Sequence, residues 1–242
     1  MNILALEIPM NNILATIITF AVALGFLRLM DFFAHHGWIE PRLSRKLIHI
    51  GTGPVFVLCW LLFSDTPDAR WLAALVPLAI TAQFALIGLN AIKDNASVKA
   101  MSRTGNPKEI LRGPLFYGIA FVVLTVLYWK DSPIGMTALM LMCGGDGLAD
   151  VVGRRVPSPR LPWSEEKSVA GSLSVFAGGW LMTAFILFVY ASFGIFTKPF
   201  ASYLLPITII ALVGTLVESL PYKDVDNITV TLAAVIVGMF VF

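Results

Sequence analysis

Charge is what this chain has least of. Of its 242 residues, 13% are Asp, Glu, Lys or Arg and 57% are hydrophobic, where an ordinary soluble domain has about 25% charged and roughly 45–50% apolar residues. So apolar a chain is not disordered, and so little charge argues against a soluble globular fold. Cysteine is nearly absent: Cys59 and Cys143 both sit inside apolar runs, which excludes a disulfide scaffold and a spaced zinc site and marks both as buried thiols. The 19 glycines follow no repeat, so a collagen-like chain is excluded too. No internal repeat and no low-complexity segment is visible. Nor does the N-terminus read as a removable signal peptide, because Glu7 stands where a basic region belongs and no small-residue cleavage site precedes Arg28.

Long apolar runs are what remain. A helix crossing the hydrocarbon core needs about 20 mostly apolar residues, and such runs lie near 11–30, 47–63, 71–91, 113–129, 133–152, 169–193, 203–220 and 228–242. The second and last are short and the fifth holds two aspartates, so the count is about eight, with seven still open. The fold class is therefore all-α: one polytopic integral membrane domain over residues 1–242, without a soluble appendage. Of the 17 basic residues, only Arg70, Lys130 and Lys198 fall in loops after even-numbered spans. The others, from Arg28 to Lys223, follow odd-numbered spans, and the positive-inside rule puts those loops in the cytoplasm and both termini outside.

Charged residues at membrane depth mark sites, pathways or structural bridges, and four groups qualify, all on that basic side. The densest is Gly144-Gly145-Asp146-Gly147-Leu148-Ala149-Asp150-Val151-Val152-Gly153-Arg154-Arg155. Asp146 and Asp150 share one helical face, and two carboxylates a turn apart suit Mg²⁺, which takes one or two of them with phosphate oxygens and water. Arg154 and Arg155 are placed to neutralise phosphate; an Asp–Arg bridge with interfacial anchors is the plainer alternative. The second group is Leu161-Pro162-Trp163-Ser164-Glu165-Glu166-Lys167-Ser168 through Gly171. It reads as a polar loop feeding the sixth helix, whose N-terminus is a natural anion site. The plainer reading is a capped helix with a snorkelling Lys167, and the Gly-x4-Gly spacing of a Walker A loop is absent.

Arg45, Lys46 and His49 form the third group, on one face at the start of the second span. His49 is either a general base or phosphate ligand, or a structural interfacial histidine. In the fourth, Glu218 ends the seventh span, where the helix dipole disfavours a carboxylate. It calls for a positive partner such as Lys167, an arginine or a metal, while Asp226 reads as the N-cap of the last helix. His35 and His36 show no ligand spacing, and the sequons at Asn95 and Asn227 fall on the cytoplasmic side, where they stay idle. Carboxylates, basic residues and helix termini on one face suggest phosphoryl chemistry, which needs positioning and charge neutralisation more than covalent help. The motifs of soluble kinases are absent, so composition and spacing stop at a membrane site for a phosphorylated ligand and a metal.

In its motifs the sequence resembles the phytol kinase and dolichol kinase family of CTP-dependent lipid kinases, relatives of the membrane cytidylyltransferases. The matching stretches are Arg45-Lys46-x-x-His49, Arg112-Gly113-Pro114-Leu115-Phe116-Tyr117-Gly118, Gly145-Asp146-Gly147-Leu148-Ala149-Asp150-x-x-Gly153-Arg154, Leu161-Pro162-Trp163 through Lys167-Ser168-x-x-Gly171-Ser172, and Glu218-Ser219-Leu220-Pro221 with Asp226-Asn227. They run in order over nearly the whole chain and look closest to the phytol kinase branch. Thr231 departs from the proline expected after Asp-Asn. The resemblance implies transfer of the γ-phosphate of CTP to the hydroxyl of an isoprenoid alcohol. It implies Mg²⁺ on Asp146 and Asp150, phosphate on Arg154, Arg155, Lys167, Ser168 and Gly171, and Glu218 or Asp226 orienting or deprotonating the alcohol. Arg45, Lys46 and His49 would complete the headgroup site, with the lipid entering sideways from the bilayer. No transit peptide is read before the first span, which points to a prokaryotic cell (or thylakoid) membrane rather than an imported plastid protein. The rivals are a cytidylyltransferase, which would release pyrophosphate, and a cation- or proton-coupled transporter using the same carboxylates.

Overall fold

The computed structural model describes residues 11–102, 104–221 and 225–242; Glu7, Arg103 and Lys223 of the argument above lie outside them. All eight apolar runs are helices: α1 (Asn12–His35), α2 (Pro41–Cys59), α3 (Ala69–Gly88), α5 (Gly113–Tyr128), α6 (Pro133–Met140) continued by α7 (Gly147–Arg155), α8 (Val169–Ser192), α9 (Ala201–Glu218) and α10 (Asp226–Val241). A short α4 (Asn95–Met101) lies in the connection between α3 and α5. Among the described residues seven helical stretches are long and apolar enough to cross a membrane, and α10, with 16 residues, is shorter. The protein is thus an all-α polytopic membrane protein. Its outer surface suits lipid: Leu173, Leu181, Phe185, Leu205, Leu216, Met239 and Phe240 are all exposed.

The fifth span is the axis of the bundle. Its apolar window is 67% buried, against 17–39% for the other six long spans, and no residue from Met136 to Cys143 is more than 2% exposed. Between α6 and α7 the helix loosens into a π turn, Leu141–Asp146, a feature that recurs at functional sites. Glycines let α8 press against this span. A Cβ on Gly178 would lie 2.6 Å from the Gly144 carbonyl oxygen, and one on Gly153 would lie 3.3 Å from Gly171 Cα. Membrane helices associate through such small-residue contacts because lipid supplies no hydrophobic drive between them. Gly171 therefore has a packing duty that the sequence reading did not assign.

Two local readings change. The loop before α8 is a β-hairpin, β1 (Arg160–Leu161) antiparallel to β2 (Ser164–Ser168), with Arg160 opposite Ser168. Its strands are too short and polar to show alternation in sequence. Asp226 is not the N-cap of α10: Val225 holds that position, Asp226 is the first helical residue, and its carboxylate accepts from the next N–H, Asn227, at 3.1 Å. The basic residues that broke the charge asymmetry are each engaged at the opposite end of the bundle. Lys130 meets Asp65 at 2.6 Å, Arg70 pairs with Asp131, and Lys198 donates to the Phe242 carbonyl at 3.0 Å.

The glycine seam gives a direct check. Gly178→Val overpacks against Gly144 and should cost about 1–3 kcal/mol, read as a fall of several degrees in Tm in detergent. Gly25→Val, on α1 where a side chain meets nothing within 4 Å, should leave Tm unchanged.

Candidate active site

The four sequence groups, some 180 residues apart at their extremes, converge on one cavity of about 1330 Å³. That exceeds the roughly 300–1,000 Å³ of an ordinary small-molecule pocket. Its polar end carries Arg45, Lys46, His49, Asp146, Asp150, Arg154, Lys167, Ser168, Gly171, Glu218 and Asp226, every candidate but one. Arg155 is the exception: it is exposed in the last turn of α7 and does not line the cavity.

Asp146 closes the π turn, and its Oδ2 lies 3.3 Å from His49 Nε2, near enough for an ion pair but without hydrogen-bond geometry. One turn on, Asp150 is the hub of a basic cluster. Arg154 Nε donates to it at 2.5 Å, with Lys46 Nζ at 3.8 Å and Arg42 Nη2 at 3.7 Å. The Asp–Arg bridge offered above as the plainer alternative is thus present, and it holds three cations together. The positive partner required by Glu218 is Lys167, which donates to Oε1 at 2.6 Å and also to the Glu218 carbonyl oxygen. Trp163 Nε1 donates to the Ser219 carbonyl oxygen at 3.1 Å. Lys167 and Trp163 together latch the hairpin onto the end of α9.

The α8 N-terminus differs from an open anion site. Val169 N–H donates to the Pro159 carbonyl oxygen (3.0 Å), Ala170 N–H to Ser158 Oγ (3.0 Å) and Gly171 N–H to Ser168 Oγ (3.2 Å). Ser168 is thus the helix cap, and the orphan donors that make a helix end attract phosphate are already satisfied within the chain. Positive charge at the polar end comes instead from side chains, among them Arg42, Arg112 and Arg160, which line the cavity; the sequence counted them only toward the basic side, and placed Arg112 in a matching stretch without giving it a role. Tyr117 and Asn227 were likewise unassigned. Tyr117 donates to the His49 carbonyl oxygen at 2.7 Å, beside Cys143 Sγ at 3.1 Å. Asn227 is 7% exposed and donates from Nδ2 to the Gly113 carbonyl oxygen at 3.3 Å, while its Oδ1 has no partner among the described residues. Only that burial, invisible in sequence, separates Asn227 from an idle sequon.

Among the described residues no three His, Cys, Asp or Glu side chains converge to bind a metal unaided. The donor set fits Mg²⁺ that completes its shell with phosphate oxygens and water, with Asp146 the less encumbered of the two aspartates. Below the polar end, the cavity continues as an apolar slot between α1, α2, α3 and α5.

The fold and site define a polytopic all-α membrane protein with a large cavity that joins a charged mouth to an apolar slot. No family model and no solved structure matches the chain. Curated relatives do. It is 41% identical over 230 residues to a probable phytol kinase 1, chloroplastic, of Oryza sativa subsp. japonica, covering 94% of this chain and 73% of the relative. It is 37% identical over 235 residues to phytol kinase 1, chloroplastic, of Arabidopsis thaliana, covering 96% and 77%. To farnesol kinase, chloroplastic, of the same plant it is 35% identical over 247 residues, covering 100% and 80%. The chain belongs to the phytol kinase family.

The hairpin latch can be tested by a mutant cycle. Breaking a buried pair by removing one partner costs about 3–5 kcal/mol, whereas replacing both with apolar residues is often neutral. Lys167→Met should therefore lower Tm markedly, and Lys167→Met/Glu218→Leu should restore most of the loss in a thermal-shift measurement.

Proposed function

We propose that this protein is a CTP-dependent kinase that phosphorylates the hydroxyl of an isoprenoid alcohol such as phytol, at the cytoplasmic face of its membrane. The observation that carries this reading is similarity over more than nine-tenths of the chain to proteins named phytol kinase and farnesol kinase. The cavity supports it physically. A lipid alcohol can leave its tail in apolar surroundings and bring only its hydroxyl to the charged mouth. The basic residues are suited to spreading positive charge over a triphosphate, the main demand of phosphoryl transfer.

In this reading Arg42, Lys46 and Arg154, held together by Asp150, together with Arg45 and Arg112, bind the phosphates. Asp146 would hold Mg²⁺, with Asp150 one turn away as the second carboxylate, and the metal would supply charge neutralisation for the phosphates. His49 sets the position of the Asp146 carboxylate. Of the two candidate bases, Glu218 is committed to Lys167, so Asp226 takes the alcohol proton, with Asn227 beside it in the cavity lining. The alcohol oxygen bonds to the γ-phosphorus, the bond from that phosphorus to the β,γ-bridging oxygen breaks, and CDP leaves.

Purified protein in detergent with Mg²⁺, phytol and γ-labelled CTP should transfer label into the extracted lipid. With a lipid phosphate such as phosphatidic acid in place of phytol, label entering the lipid from α-labelled CTP would establish cytidylyl transfer instead, and label in neither assay would overturn both enzymatic readings. Asp146→Asn should lower the rate at least ~100-fold, the order lost with one preorganised electrostatic contact, while Tm stays near the parent's. An active Asp146→Asn protein would remove Asp146 from the metal site.

A further inference from the structure

The apolar slot has a floor. From His49 on α2 the lining runs down to Cys59, ten residues or about 15 Å at 1.5 Å per residue. On the three neighbouring helices it ends at a matching depth, at Thr19, Val76 and Phe121, about 12 Å below the polar end. Beneath it lies a layer of packed aromatic rings. Phe56 packs on Trp60 at 5.8 Å between centroids and Trp60 on Trp129 at 4.9 Å, with Trp60 wholly buried and Trp129 3% exposed. An aromatic wall connects mouth to floor: His49–Tyr117 at 4.5 Å, Tyr117–Phe121 at 4.8 Å and Phe121–Phe56 at 5.6 Å.

We infer that this slot is a length gauge for the isoprenoid tail, with Val76 and Cys59 setting its limit; the inference rests on the function proposed above. An extended covalent chain covers about 3.3–3.6 Å per three bonds, so a slot of about 12–15 Å takes roughly 10–13 main-chain bonds. An isoprene unit contributes four, so three units fit fully extended, and a fourth fits only by bending or by reaching into the mouth. Much longer polyprenols meet the packed rings and must turn aside at the floor.

The test uses the full chain in detergent with Mg²⁺, CTP and alcohols of two, three, four and six or more units. The parent should use three- and four-unit alcohols best and fall by ~10-fold or more at six, a pocket discrimination of ordinary size. Val76→Phe and, independently, Cys59→Phe raise the floor, and should cut kcat/KM for the four-unit alcohol ~10-fold relative to the two-unit alcohol. Retained activity on the short alcohol reports that each variant is folded. A three-unit alcohol with a diazirine at its far end should crosslink to peptides containing Thr19, Cys59 or Val76. This readout needs no phosphoryl transfer, so floor labelling without any kinase activity would uphold the slot and overturn the kinase reading. A flat length profile in the parent, equal losses at every length in both variants, or crosslinks confined to the lipid-facing surface would overturn the gauge.

Discussion

Charged side chains inside an apolar bundle must be compensated on the spot, and that requirement organises this protein. Asp146 sits at the end of the most buried helix, at the one place where that helix widens into a π turn. Everything nearby serves to make this tolerable. Glycines 144, 153, 171 and 178 bring α8 close enough to brace the turn, and α2 delivers His49 beside the carboxylate. Asp150, Arg154, Lys46 and Arg42 neutralise one another a turn further on. The Lys167–Glu218 pair solves the same problem for α9, whose C-terminal dipole disfavours a carboxylate. Replacing such pairs with apolar residues often leaves stability intact, so their presence is better explained by a site than by the fold.

Much of this was legible before any coordinates. Helix number, the all-α class and the basic end follow from run length and loop charge, because the bilayer permits few alternatives. Glu218 announced its need for a cation through helix position alone, and Lys167 answers it. What sequence could not show depended on tertiary packing. Gly171 reads equally well as a phosphate-facing or a helix-facing residue, and only its approach to Gly153 decides. The α8 N-terminus looked like an open anion site because its partners, Pro159 and Ser158, are brought back by a hairpin too short for a periodic signal. Asn227 sat within an apparent sequon, and its buried acceptor appears only when α10 is set against α5.

The cavity also explains why such a site belongs inside a membrane. A soluble pocket would have to extract the lipid tail from the bilayer and then shield it. Here an apolar slot and a charged mouth are continuous, so the tail moves between two similar environments and only the hydroxyl meets polar groups. The proposed donor, by contrast, is wholly polar and approaches from the basic end. In the proposed reaction two ligands of opposite character would meet at Asp146, Asp226 and Asn227, and the aromatic wall between His49 and Phe121 would guide the tail away from the charges.

In the proposed reaction both substrates occupy this cavity together and the phosphoryl group passes directly between them. Initial-rate kinetics with CTP and phytol varied against each other test it most directly. Intersecting double-reciprocal lines, reporting a ternary complex, are the expected result. Parallel lines, reporting a phosphorylated enzyme formed before the alcohol binds, would contradict it.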